Sequence, residues 1–185
     1  LHKTVVSAEN ILIFALRRAK QLVRSNHQVF ASPALQYFLQ NDVTTADFET
    51  KEKVLENFIQ LDDFDIMGAL KVWQFDSDTI LADLSRRIVE RKLFKITFSK
   101  TPFEAGLIEE KRKMIAEKLQ ITFDEASYYV MSDKLVNNAY SQEKQNIKIL
   151  MKDGSIQDLA DAVDNYNISP LAKPVEKYFL LEAKL

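Results

Sequence analysis

The sequence predicts an α+β protein, an N-terminal helical bundle segment followed by a ferredoxin-like βαββαβ unit. Three observations carry this expectation. Up to about Leu93 apolar residues recur at three- and four-residue steps, the spacing of helices with one buried face. At Leu93 the period drops to two: in LFKITFS, Phe94, Ile96 and Phe98 alternate with Lys95, Thr97 and Ser99. From there the order reads strand, helix, strand, strand, helix, strand, which is the split βαβ pattern. The expected domains are therefore 1–92, helical, and 93–185, α+β.

The elements follow in order. Thr4 to Arg24 reads as a long helix with Val5, Ala8, Leu12, Leu16, Ala19 and Val23 inward and Arg17, Arg18, Lys20 and Arg24 loading its C-terminal half. SNHQ breaks the pattern, with His27 read as a solvated loop residue. Ser32-Pro33 is a helix start, serine as N-cap and proline at the first position. Thr50 to Leu61 reads as a helix with Val54, Leu55, Phe58 and Ile59 inward. Asp62 or Asp63 caps the next, which carries Ile66, Met67, Leu70 and a buried Trp73. Ser77 caps another, whose stripe is Ile80, Leu81, Leu84 and Ile88.

After the alternating strand, Thr101-Pro102-Phe103-Glu104 reads as a capping box opening a helix that runs to about Leu119. Tyr128 to Ser132 and Asn146 to Lys152 read as strands, the second closed by Asp153-Gly154. Ser155, with Asp158 completing a box, opens a short helix to about Val163. Glu176 to Ala183 is the last strand.

Composition bounds function. The 185 residues are 46% hydrophobic and 28% charged with net charge -2, an ordinary globular balance that argues against a broad grip on nucleic acid. Any anion site must be local. There is no cysteine, which excludes thiolate metal ligands and fits a reducing, cytoplasmic setting. No apolar run approaches the roughly 18 residues of a membrane span. The chain begins Leu-His-Lys and reads as a piece of a longer protein.

Catalytic signatures are missing. His2 and His27 have no metal-ligand spacing around them, and HExxH, a Gly-rich phosphate loop and a GxSxG elbow are absent. The acidic LDDFD reads as helix capping rather than a cation site. Nothing assembles a nucleophile, a base and an orienter, so the chain alone does not read as a self-sufficient enzyme. What stands out is a basic edge: five of the ten residues from Arg86 to Lys95 are basic and one is acidic. It reads either as cations favoured at a helix C-terminus or as a phosphate-binding edge.

LHKTVVSAE, LDDFDIMGALKVW and DTILADLSRRIVERKLFK together resemble the region that follows the catalytic core in HD-domain phosphohydrolases of the deoxynucleoside triphosphate triphosphohydrolase type. The resemblance is good over residues 1 to 98 and thinner beyond. It implies a C-terminal accessory, oligomer-forming and nucleotide-sensing part of a metal-dependent hydrolase. The family's divalent metal ion would belong to an upstream HD domain missing from this chain, since no His-Asp pair occurs here. The chain itself would then carry no cofactor. The resemblance also implies that His2, Lys3, Arg91 and Lys95 contribute to a (deoxy)nucleoside triphosphate site between subunits of a homo-oligomer. Glu90 departs from the pattern, standing where animal members have an aromatic, which leaves nucleotide identity open. The alternative is a non-catalytic interaction module using its α+β domain. A third reading, single-strand nucleic-acid binding through Tyr128, Tyr129, Tyr178 and Phe179, has the chain's acidity against it.

Overall fold

The computed structural model describes residues 2–137, 148–158 and 175–184. It is α+β, with a helical N-terminal region followed by a small sheet region. The helices are α1 (Lys3–Arg24), α2 (Pro33–Gln40), α3 (Asp47–Thr50), α4 (Glu52–Gln60), α5 (Asp63–Trp73), α6 (Thr79–Val89) and, after the first strand, α7 (Ala105–Leu119). The strands are β1 (Lys95–Ser99), β2 (Val130–Asn137), β3 (Lys148–Leu150), β4 (Ile156–Asp158) and β5 (Val175–Glu182). β5 lies between β1 and β2 in a three-stranded sheet, and β3 and β4 pair antiparallel with Leu150 opposite Ile156.

The chain divides into two compact units, one of Leu1–Ile96, Ala105–Met131 and Leu181–Leu185, the other of Thr97–Glu104 and Ser132–Leu180. The change of period at Leu93 marks where strand structure starts, whereas the compact units interleave along the chain. Helix α7 is counted with the helical unit, where Arg112 Nε donates to the Val130 carbonyl (3.0 Å) and Lys111 pairs with Glu182 (2.5 Å).

In the first unit the core lies between α1, α5 and α6. Ile11, Leu70, Trp73, Ile80, Leu81 and Leu84 are fully buried there. Trp73 is buried as its position predicts, and its indole N–H donates to the Phe30 carbonyl at 2.7 Å, which removes the cost of burying that donor. Ser7, also buried, donates to the Phe94 carbonyl at 3.0 Å and ties the start of α1 to the chain just before β1.

Several expected details are corrected. Helix α1 buries Val6, Ser7, Ile11, Phe14, Ala15 and Ala19; of the expected stripe Ala19 alone is buried, and Val5 is exposed. Only Val54 of the expected α4 face is buried; Leu55, Phe58 and Ile59 face solvent. The helix expected over Thr50 to Leu61 is α4; a further short helix, α3, precedes it where a polar connection was expected, and Lys51, in extended backbone, separates the two. Asp78, not Ser77, caps α6, because its carboxylate accepts from Leu81 N–H at 2.8 Å.

Ser99 takes the Thr101 N–H at 3.1 Å, so the expected box at Thr101 does not form and α7 begins at Ala105. A reciprocal pair further on, Thr122 N–H to Glu125 and Glu125 N–H to Thr122 Oγ1, instead sets a 3₁₀ turn over Glu125–Tyr128, delaying β2 to Val130. At Ser155 the chain continues as strand β4 rather than helix. Asp153 accepts from both Ser155 N–H (2.9 Å) and Oγ (2.7 Å), and Gly154 at φ +85° closes a hairpin turn that only glycine adopts without strain. Residues 159–163 of that expected helix lie outside the described residues. His27 is half-buried and bonded to Asp76 (2.9 Å), not a free loop residue.

Candidate anion-binding site

Helix α6 delivers the basic edge. Its N-terminus is fixed by Asp78, whose carboxylate also meets Arg18 through two contacts, Nε at 3.0 Å and Nη2 at 2.6 Å. Burial pushes the Asp78 carboxyl up, but the Arg18 hydrogen bonds and the Leu81 N–H outweigh it and the net shift is downward. At the other end the helix closes in a Schellman motif. Arg91 N–H donates to the Ile88 carbonyl (3.2 Å) and Lys92 N–H to the Arg87 carbonyl (2.9 Å). This geometry requires a left-handed residue just past the cap, and that residue is Arg91, at φ +57°.

Around this turn lies a cleft of about 510 Å³ lined by Asp83, Arg86, Arg87, Glu90, Arg91, Lys92, Leu93 and Lys184. Five of the eight are basic and two acidic. Their charges are not equally available. Arg87 is held by Asp83 (2.7 Å), by the Lys184 carbonyl (3.3 Å) and over the Phe94 ring (5.1 Å). Arg86 donates to the Gln74 carbonyl at 3.0 Å. Lys92 pairs with Glu90 at 2.7 Å, and that hydrogen bond holds the Glu90 carboxyl below its usual range. Arg91 is exposed, and its guanidinium has no partner among the described residues. The cleft thus offers one uncommitted planar fork and the Lys184 ammonium beside Arg87 and Lys92, both paired with carboxylates, and Arg86, held by a carbonyl, a donor set suited to phosphate oxygens.

The other residues of the expected site are placed differently. His2 is the N-cap of α1, its Nδ1 accepting from Thr4 N–H at 3.3 Å, and Lys3 is the first residue of that helix. Lys95 opens β1 and pairs with Glu182 at 3.1 Å. Glu182 is bound more closely by Lys111, and the two lysines, Lys111 first, hold its carboxyl low. None of these three residues lines the cleft around Arg91. Lys184 is the residue that local sequence reasoning missed: it follows the last strand, and no pattern near Arg91 signals it.

Among the described residues no group of three or more His, Cys, Asp or Glu side chains stands close enough to hold a metal ion. Two of the three LDDFD carboxylates are occupied as caps, Asp62 accepting from Phe64 and Asp65 N–H while Asp65 accepts from Asp62 N–H. Tyr129 and Phe179 are buried, which withdraws two of the four aromatics on which bases were to stack.

No protein-family model matches the chain. A crystal structure of a phosphohydrolase from Bacteroides thetaiotaomicron VPI-5482 matches all of it at 43% identity with a TM-score of 0.80. The chain is similar to a phosphohydrolase. The curated protein YwfO of Bacillus subtilis (strain 168) is 28% identical over 166 residues, 86% of this chain. The chain spans 46% of the solved phosphohydrolase and 35% of YwfO, so it corresponds to less than half of either.

Proposed function

We propose that this chain is the C-terminal accessory region of a metal-dependent HD-superfamily phosphohydrolase acting on (deoxy)nucleoside triphosphates, serving oligomer assembly and nucleotide sensing. Catalysis and its divalent metal belong, on this reading, to a domain that lies outside the chain, and the working protein is a cytoplasmic homo-oligomer. Similarity over the whole of this chain, and 46% of the other, to a phosphohydrolase supports the hydrolase part. The observation that carries the sensing part is Arg91, whose guanidinium has no partner among the described residues, in a cleft where basic residues outnumber acidic ones. A triphosphate tail satisfies that guanidinium and Lys184, while Arg87, already anchored, fixes the cleft wall. His2, Lys3 and Lys95 complete the site from another subunit or after Lys95 leaves Glu182.

The test is titration of the full-length protein with GTP and each deoxynucleoside triphosphate. Charge-assisted contacts are worth about 1.5–3 kcal/mol, so Arg91→Ala is expected to weaken binding by roughly 10- to 150-fold. Equal affinities for wild type and variant overturn the sensing role and leave Arg91 a helix-end cation.

A further inference from the structure

Arg87 and Lys184 stand 97 residues apart in sequence, yet a closed ring of contacts joins them. Arg87 Nη1 donates to the Lys184 carbonyl at 3.3 Å, and Arg87 Nε donates to Asp83, one turn earlier on α6, at 2.7 Å. The same guanidinium lies 5.1 Å over the Phe94 ring, whose centroid is 6.1 Å from that of Tyr129. Tyr129, which is buried, closes the ring on both sides. Its carbonyl accepts the Ala183 N–H at 2.9 Å, and its hydroxyl faces Asp83. Burial first, and the Asp83 carboxylate after it, push that phenol above its ordinary value.

Stability alone does not account for the ring. An Asp–Arg pair four residues apart adds little to a helix. What this pair achieves is to fix the backbone of Lys184, an exposed lysine with no ion pair among the described residues, in the wall of a cleft that Arg86, Arg91 and Lys92 already line. Like charges gathered in one cleft repel each other, a cost that a bound anion reverses. Lysine carries its charge on a flexible four-carbon stem. Held at the Ala183 N–H and at its own carbonyl, Lys184 presents that stem from a fixed root. A binding residue ordered before its ligand arrives raises affinity by lowering the entropy lost on binding.

We infer that Asp83 is a positioning residue of the anion cleft: it holds Arg87 against Phe94, and Arg87 in turn places Lys184, whose ammonium binds the anion beside Arg91. This rests on the reading of the cleft as an anion site and adds how its second cation is placed. The test is titration of the full-length protein with inorganic tripolyphosphate and with each nucleoside triphosphate, with melting curves on the same samples. Lys184→Met is expected to weaken binding by roughly tenfold or more without lowering the melting temperature. Asp83→Ala separates positioning from charge by sign. It removes an acid from the cleft wall, so charge alone makes anions bind more tightly, whereas loss of positioning makes them bind more weakly, by roughly 2- to 10-fold. In a Lys184→Met background Asp83→Ala no longer weakens binding, because the residue it places is gone. Tyr129→Phe, a smaller change that keeps the Ala183 contact, acts in the same direction as Asp83→Ala. Tighter or unchanged binding by Asp83→Ala, or an equal loss in the Lys184→Met background, overturns the inference; a loss still seen with Arg91→Ala then leaves the sensing role standing without it. Tripolyphosphate binding that Lys184→Met and Asp83→Ala both weaken, with no nucleoside triphosphate bound, supports the inference and overturns the nucleotide reading. A wild type that binds neither overturns both.

Discussion

Arg91 and Gln120 occupy the same position in two helix ends, each left-handed, at φ +57° and +54°. A side chain there costs on the order of 1 kcal/mol relative to glycine. Gln120 ends α7, where Ile121 N–H donates to the Ala116 carbonyl at 3.1 Å. Gln120→Gly is therefore expected to raise stability by up to about 1 kcal/mol in denaturant unfolding. Ser85 presents the opposite problem, being fully buried in α6 with a hydroxyl that has no hydrogen-bond partner among the described residues. Leaving such a group unmade costs about 1–3 kcal/mol, so Ser85→Ala should stabilise by about 1 kcal/mol. A loss on that substitution would show that the hydroxyl is satisfied after all. Trp73→Ala, by contrast, opens a cavity between α5, α6 and the Phe30 segment and should cost about 3–5 kcal/mol.

At the scale of elements, α6 depends on Asp78, which is both its cap and the partner of Arg18, with side chains only 13% and 12% exposed. Asp78→Ala removes the cap and leaves the Arg18 guanidinium with Glu125 as its remaining carboxylate, at 3.3 Å; a loss of about 2–4 kcal/mol is expected. The native carboxyls of Asp78 and Glu182 lie below their unfolded values, so the folded form binds protons less readily than the unfolded chain. Their contribution is complete above the ordinary carboxylate range and is lost as pH falls through the depressed native values. Stability measured from pH 6 downward should decline below about pH 4, and Asp78→Asn should flatten that decline.

The helices themselves were legible from period and caps, as Ser32-Pro33 and Asp62 illustrate. Their faces were less so. In α1, Val5, Val6, Ile11, Leu12, Ile13, Phe14 and Leu16 support two overlapping stripes, and only packing against α6 selects one. In α4 the clear stripe Leu55, Phe58, Ile59 points to solvent, because a period reports that a face is apolar and not what covers it. Arg91 was visible as one of several helix-end cations. Its isolation from acidic partners was not, since that depends on Lys92 taking Glu90 and on Asp83 taking Arg87.

For the whole molecule, a net charge of -2 coexists with a cleft around Arg91 in which basic side chains predominate, so any anion it binds is selected locally and not by a general field. The chain's ligand set for a hydrolytic metal is lacking in its sequence, and on the proposed reading the pure 185-residue chain releases no triphosphate with Mn²⁺, Mg²⁺ or Ni²⁺. Chelator-sensitive release would contradict that division of labour. The central claim, that Arg91 faces a nucleotide, is tested most directly by Arg91→Gly in the full-length protein, with affinity for each nucleoside triphosphate and melting temperature measured on the same samples. Glycine relieves the left-handed backbone while removing the guanidinium. The account predicts a melting temperature equal to or above wild type together with affinity weakened by roughly tenfold or more. A lowered melting temperature with unchanged affinity would contradict it.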